Sequence, residues 1–197
     1  MNGMETFRVA VFAGVCVMWV ASAGLYVLRK HPPRAAVVKK KRGLVAGLAL
    51  QCAGYALVWA FGRRAWTPLV KMPAALEIAV ELLALLLMGA SIVLAAWAIH
   101  SLGKEWSYGP QLVEGHELKT TGPYGIVRNP IYSGMLGMLV ATGVAWSRWE
   151  ALLGAMIVYL AGTAIRVRSE EALLRGAFGA AFEEYARRVP ALIPRPW

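Results

Sequence analysis

Residues 116–132 read HELKTTGPYGIVRNPIY, a polar stretch set between two apolar segments. Thr121-Gly122-Pro123-Tyr124 has the chemistry of a turn, because glycine permits positive φ and proline fixes its own φ while removing a donor. Asn129-Pro130 then predicts the start of a helix. Pro130 suits the first helical position, where its missing N–H costs nothing, and Asn129 is a good N-cap. The unpaired N–H groups of that first turn, with Arg128 beside them, make a seat for a carboxylate or a phosphate. The same residues also read as a juxtamembrane cap, with Arg128 and Tyr132 anchoring a span at the lipid headgroups.

Outward from this stretch the chain is apolar. Residues 7–28, 43–61, 74–100, 130–146 and 149–167 are five candidate membrane-crossing helices, each near the roughly 20 residues that cover a hydrocarbon core. Only Ser147 and Arg148 separate the last two, which predicts a tight antiparallel hairpin with Trp146 and Trp149 at an interface. Gly43, Gly47 and Gly54 lie on one side of the second span, where another helix can approach closely. Glu77 and Glu81 share a face near the start of the third and read as interfacial glutamates at a helix N-terminus, or as an intramembrane carboxylate pair. Ala21-Ser22-Ala23 has the form of a signal-peptidase site, but apolar sequence continues past it and the basic n-region is weak, so a retained span is expected. After Arg168 the spacing of Leu173, Leu174, Phe178, Phe182 and Tyr185 predicts an amphipathic helix lying along the membrane face. The expected fold class is therefore all-α: a polytopic membrane protein of about five transmembrane helices, the last two a hairpin, plus a C-terminal amphipathic helix. Residues 1–100 form a three-span region, and 101–197 one catalytic unit.

Composition agrees. Of 197 residues 58% are apolar, and the mean hydropathy of +0.53 is too high for a soluble globule. The 11 acidic residues are all glutamate, which argues against an Asp-supported triad or a magnesium phosphoryl-transfer site. Cys16 and Cys52 sit inside apolar runs, so neither a disulfide framework nor a zinc site is indicated, and no metal is expected. The net charge of +10 comes from basic residues gathered beside the spans, as orientation signals and headgroup contacts are, and not from a nucleic-acid-binding stripe. The basic loop at residues 29–42, which carries no acid, is read as a cytoplasmic anchor or a lipid-headgroup site. Placing it inside puts most Lys and Arg residues on the cytoplasmic side, with the N-terminus out and the C-terminus in. The Ala- and Gly-rich make-up points to a bacterial inner membrane.

GPYGIVRNPIYSG resembles the GPYxxxRHPxYxG signature of the isoprenylcysteine carboxyl methyltransferase and phospholipid methyltransferase superfamily, integral-membrane enzymes that use S-adenosylmethionine. Glu170-Glu171 followed by an apolar pair, and FGAAFEEYARRVPALIP, similar to the family's FGxxYxxYxxxVPxxIP ending, follow in the right order. The likeness runs from about residue 100 to 196. One position departs: Asn129 stands where the family usually has His, which leaves a hydrogen-bond donor there but no titrating imidazole.

The resemblance implies a donor site. His116, Arg128, the turn at Gly122 and Asn129-Pro130 meet the carboxylate of S-adenosylmethionine, and Glu171 is counted among the donor-binding residues; Tyr124, Tyr132 and backbone near Leu118 line the adenosine. Arg166 and Glu170, four apart on a helix, face the same way. Arg166 is expected to orient an anionic acceptor or tune Glu170, and Glu170 to orient the acceptor or remove its proton. Glu171 points toward Arg168 or Arg175. The expected reaction is methyl transfer to a lipophilic small molecule or lipidated acceptor, a prenylcysteine-type carboxylate, giving S-adenosylhomocysteine as product. Phospholipid amines and small thiols stand as alternative acceptors. A membrane transporter, a scaffold, or an NADPH-dependent reductase stands as another class.

Overall fold

The computed structural model describes residues 1–28, 37–40, 44–103, 106, 111–113 and 117–194. Among the described residues seven helices and two short strands follow in the order α1 (Gly3–Leu28), β1 (Val37–Lys40), α2 (Leu44–Ala60), α3 (Ala74–Leu102), β2 (Gln111–Val113), α4 (Pro123–Ile126), α5 (Pro130–Trp146), α6 (Trp149–Phe178) and α7 (Ala180–Arg188). The strands pair antiparallel, with Val37 opposite Val113 and Lys40 opposite Gln111. They are an addition to the all-helical expectation, and β1 lies inside the stretch read as a basic loop. The rest of that loop, residues 29–36 and 41–42, lies outside the described residues, as does Gly43.

Helices α1, α3 and α6 are long and apolar enough to cross a membrane, whereas α2 and α5 are shorter apolar helices. The sequence reading of α5 matches at both ends, because Asn129-Pro130 opens it and the two-residue connection closes it. It errs at α6, which does not end near Val167 but continues as one helix of 30 residues to Phe178. The expected amphipathic helix is thereby split at Gly179, whose φ of 50° is open to glycine at little cost. The separate helix α7 buries Phe182 and Tyr185 and leaves its glutamates and arginines exposed.

Two compact units emerge, each drawn from several parts of the chain. The first comprises Met1–Arg29, Cys52–Ile92 and Met135–Tyr159. Its core joins Val11 and Val15 of α1, Ala84 and Met88 of α3, and Met138, Ala141 and Ala145 of α5. A second cluster packs Val58 against Leu139, Leu152, Ala155 and Tyr159, so that α5 and α6 form the expected hairpin. Glu77 and Glu81 are buried inside the protein, 5% and 2% exposed. Arg8 grips Glu77 through two nitrogens and also donates to Trp66 O. Arg63 lies 3.5 Å from Glu81 and donates to the carbonyls of Thr67, Val144 and Ser147. A carboxylate buried without such a partner carries a desolvation penalty of several kcal/mol, roughly, which is why both acids draw a guanidinium.

The second unit comprises Lys30–Gln51, Val93–Gly134 and Leu160–Trp197. Here α2 meets α6 through glycines, as the small-residue spacing predicts. A Cβ on Gly162 would lie 2.6 Å from Gly47 O and 2.9 Å from Gln51 N, closer than packed atoms tolerate. Gly162→Ala is therefore expected to push the helices apart at a cost of about 1–3 kcal/mol. A thermal melt in detergent checks this; an unchanged midpoint would show that the close approach is dispensable.

Candidate functional site

All the described residues of the candidate site fall in the second unit. Gly122 opens the turn with φ 62°, Pro123 takes the first position of α4, and Val127 N–H closes the turn on Pro123 O at 3.2 Å. A side chain at Gly122 would stand 3.4 Å from the indole of Trp97, so bare backbone faces an aromatic edge there. Tyr124 is buried, and its carbonyl accepts the Tyr185 hydroxyl at 2.7 Å. Burial, aided by the Glu171 charge and opposed by Arg128, pushes the Tyr185 phenol up to about 12, which keeps it a donor at any physiological pH.

The C-terminal segment takes up the backbone donors just ahead of α5. The backbone N–H of Arg128 donates to Pro190 O at 2.8 Å and that of Asn129 to Ala191 O at 3.1 Å. The Asn129 side chain adds a second bond to Ala191 O, and Ser133 Oγ donates to Leu192 O. Arg128 Nη1 donates to the carbonyls of Ala186 and Val189, while Nε and Nη2 both reach Glu171 Oε1, at 3.0 and 2.8 Å. Sequence pointed Glu171 toward Arg168 or Arg175; the structure gives it to Arg128, 43 residues away, and Arg175 pairs with Glu183 instead. Asn129 acts through its N–H2, the function that survives the exchange of His for Asn.

Beside this pair lies a second cluster. Arg166, 6% exposed, donates from Nε to the Tyr132 hydroxyl at 2.9 Å, and that hydroxyl donates to Glu170 Oε1. The guanidinium carbon also sits 5.1 Å from the centre of the Tyr132 ring, a cation–π placement. Arg166 and Glu170 thus share a face of α6, joined by a phenol from the first turn of α5. Pro130 is buried at the head of that helix, and Leu118 is half-buried ahead of the turn. His116 lies outside the described residues. Sequence reasoning missed Trp97, Gln51 and Thr163, and read Tyr185 only through its amphipathic spacing and the closing motif. Of the three, only Gln51, a lone amide in an apolar span, carried a signal.

The arrangement offers carboxylates, aromatic faces and a fixed guanidinium, a set suited to a ligand bearing both charge and an aromatic group. Among the described residues no group of three or more His, Cys, Asp or Glu side chains comes together to hold a metal.

The sequence profile named phospholipid methyltransferase matches residues 80–181, just over half of the chain. The chain belongs to this family. The family is one of methyltransferases, and a methyl donor is implied with it. The matched region takes in most of α3, the side chains of Arg128, Tyr132, Arg166, Glu170 and Glu171, and the whole α5–α6 hairpin, and ends before the C-terminal carbonyls that Arg128 and Asn129 hold. Among curated relatives, "Protein-S-isoprenylcysteine O-methyltransferase B" of Arabidopsis thaliana is 38% identical over 81 residues, 41% of each chain. "Methanethiol S-methyltransferase 2" of Bradyrhizobium diazoefficiens is 37% identical over 86 residues, 42% of this chain and 31% of that one. "Nickel-cobalt-cadmium resistance protein NccN" of Alcaligenes xylosoxydans xylosoxydans is 39% identical over 80 residues, 40% and 37% of the two chains. The likeness thus spans about two fifths or less of these relatives.

If the phenol bridges the two charged groups for function, Tyr132→Phe removes both of its hydrogen bonds and leaves the packing. We expect it to lower kcat for methyl transfer by roughly 10- to 100-fold, with a smaller effect on donor affinity. Steady-state kinetics decide: equal rates in the two proteins would make Tyr132 a packing residue.

Proposed function

We propose that the protein transfers a methyl group from S-adenosylmethionine to the carboxylate of a prenylcysteine-type acceptor at the cytoplasmic face of a bacterial inner membrane. The observation that carries this reading is Arg166: a buried guanidinium, fixed by the Tyr132 hydroxyl, at the polar end of an apolar helix. When bound, S-adenosylmethionine would supply an electrophilic methyl carbon, open to in-line attack by a carboxylate oxygen with the neutral thioether S-adenosylhomocysteine as leaving group, a chemistry that moves no proton. The protein's task is then alignment, with reacting atoms held about 3 to 3.5 Å apart.

Arg166 holds the acceptor carboxylate, and Tyr132 and Glu170 hold Arg166. Gly122, Tyr124, Tyr132, Pro130 and Leu118 line the adenosine. Glu171 offers its second oxygen to the ammonium of the donor's amino-acid end, while Arg128 and Asn129 fix the turn and, together with His116 as the family resemblance implies, meet the carboxylate. Residues 101–197 act as one catalytic unit carrying these groups. All five apolar helices cross the membrane, since even α2 and α5, with 17 residues each, reach the lower limit of about 17 for a span. The N-terminus faces out and the C-terminus faces the cytoplasm, where the donor is made. A lipophilic acceptor reaches the site from the bilayer.

Incubating the purified protein with methyl-labelled donor and S-farnesyl-N-acetylcysteine, phosphatidylethanolamine or methanethiol tests the reading. Base-labile label on the farnesyl acid is expected. Label on the lipid amine or the thiol alone overturns the carboxylate. Binding of NADPH in place of S-adenosylhomocysteine overturns the class.

A small-thiol acceptor is the second reading, favoured by the likeness to a protein named for methanethiol. There Glu170 would take the thiol proton before attack.

A further inference from the structure

Past α7 the chain stays on the site as a strap. Pro190 restricts the residue before it to extended backbone, which Val189 adopts. The carbonyls of Ala186, Val189, Pro190, Ala191 and Leu192 are then held by three residues alone, Arg128, Asn129 and Ser133. The order is regular: Pro190 O accepts from the Arg128 N–H, Ala191 O from the backbone and side chain of Asn129, and Leu192 O from Ser133 Oγ. Asn129 and Ser133 are four apart and share a side of the helix, so the strap lies along the first turn of α5.

The strap sets the direction of Arg128. Nη1 of that residue spans the carbonyls of Ala186 and Val189, while Nε and Nη2 both fall on Glu171 Oε1. A guanidinium is a rigid plane, so a shift of the Val189 carbonyl at one edge tilts the fork that holds Glu171 at the other. Ser133 is the far clamp of this series. Backbone N–H groups hold Pro190 O and Ala191 O, and any residue but proline supplies those, whereas the hold on Leu192 O needs a hydroxyl at position 133. A serine inside a helix ordinarily bonds back to the carbonyl four residues earlier. Here Asn129 O is 3.2 Å from Ser133 Oγ and Leu192 O is nearer, so the hydroxyl serves the strap. Alanine suits a helix better than serine, and helix formation alone does not account for the residue.

Resting on the donor site proposed above, we propose that Ser133 is a positioning residue for the amino-acid end of the methyl donor: it pins Leu192 O, the strap fixes the plane of Arg128, and Arg128 aims Glu171. The adenosine end, assigned to the turn at Gly122 and to Tyr124, does not depend on this series of contacts.

The test compares S-adenosylhomocysteine with methylthioadenosine, which keeps the adenosine and the thioether but carries a methyl in place of the amino-acid chain. Each is titrated calorimetrically into the full chain in detergent. Ser133→Ala is expected to weaken S-adenosylhomocysteine roughly fivefold and to leave methylthioadenosine within a factor of about two. Ser133→Thr, which keeps the hydroxyl, restores the wild-type affinity. Equal weakening of both ligands makes Ser133 a support of the fold at large and overturns the assignment. Unchanged affinity for both, weakening of methylthioadenosine alone, or the same loss in Ser133→Thr as in Ser133→Ala overturns it too. Wild-type protein that binds the two ligands equally overturns the role given to the amino-acid end while leaving the donor reading in place. Binding of neither ligand by the wild-type protein overturns the donor reading together with this one.

Discussion

Arg166→Ala is expected to lower kcat/KM for methyl transfer to a farnesylated acid by roughly a thousandfold, the scale seen when a preorganised charge at a reacting group is removed. Three features make the effect large. The guanidinium is buried, so water cannot replace it. Tyr132 holds it in place, so little reorganisation is needed when the acceptor arrives. Its departure also leaves Glu170 and the Tyr132 hydroxyl without their cation. Arg166→Lys should recover little, because an ammonium on a flexible stem lacks the planar fork that meets a phenol and a carboxylate together. The control is affinity for S-adenosylhomocysteine, which should change by no more than about twofold, since the donor is assigned to other residues. Turnover near the wild-type level in Arg166→Ala would remove the central residue of the proposed site.

Arg128→Ala acts on the fold first. The side chain is mostly buried and serves Glu171 and two carbonyls of the C-terminal segment at once. Deleting one partner of a buried pair costs about 3–5 kcal/mol, because the other charge is left without compensation. We expect a markedly lower melting temperature in detergent, faster proteolysis after residue 186, and weaker binding of S-adenosylhomocysteine. Glu171→Gln, which leaves Arg128 with its carbonyls, should destabilise less while still weakening the donor. Unchanged donor affinity in a folded Arg128→Ala protein would detach this residue from the donor site.

Much of the architecture is legible in the residues themselves. Apolar runs bounded by Asn-Pro, Trp-Ser-Arg-Trp and basic loops place the helices, since spans are set by length and hydropathy and need no knowledge of partners. The glycine contacts of α2 are legible for the same reason: small residues at helical spacing leave no other use for that face. What fails is pairing over distance. Glu77 and Glu81 read as interfacial because they lie in the first turns of α3, and nothing in that segment announces that Arg8 and Arg63 pair with them from elsewhere in the chain. Arg128 reads as a waiting cation because its partners, Glu171 and the carbonyls of residues 186 and 189, arrive dozens of residues later. The continuation of α6 past Val167 has the same origin. Its charged end looks like a departure into solvent, but Arg166, Glu170 and Glu171 find partners on α5 and on the turn ahead of it, so the helix runs on.

The clasp between Arg8 and Glu77 bears on how such a chain is made. During synthesis the guanidinium emerges with the first helix, while its carboxylate is 69 residues behind. Until α3 follows, that first helix carries a naked cation near its N-terminal end, and the insertion machinery or headgroup water must shelter it. Assembly of α1 against α3 is thus a late event, driven in part by the joining of two opposite charges that neither helix tolerates well alone.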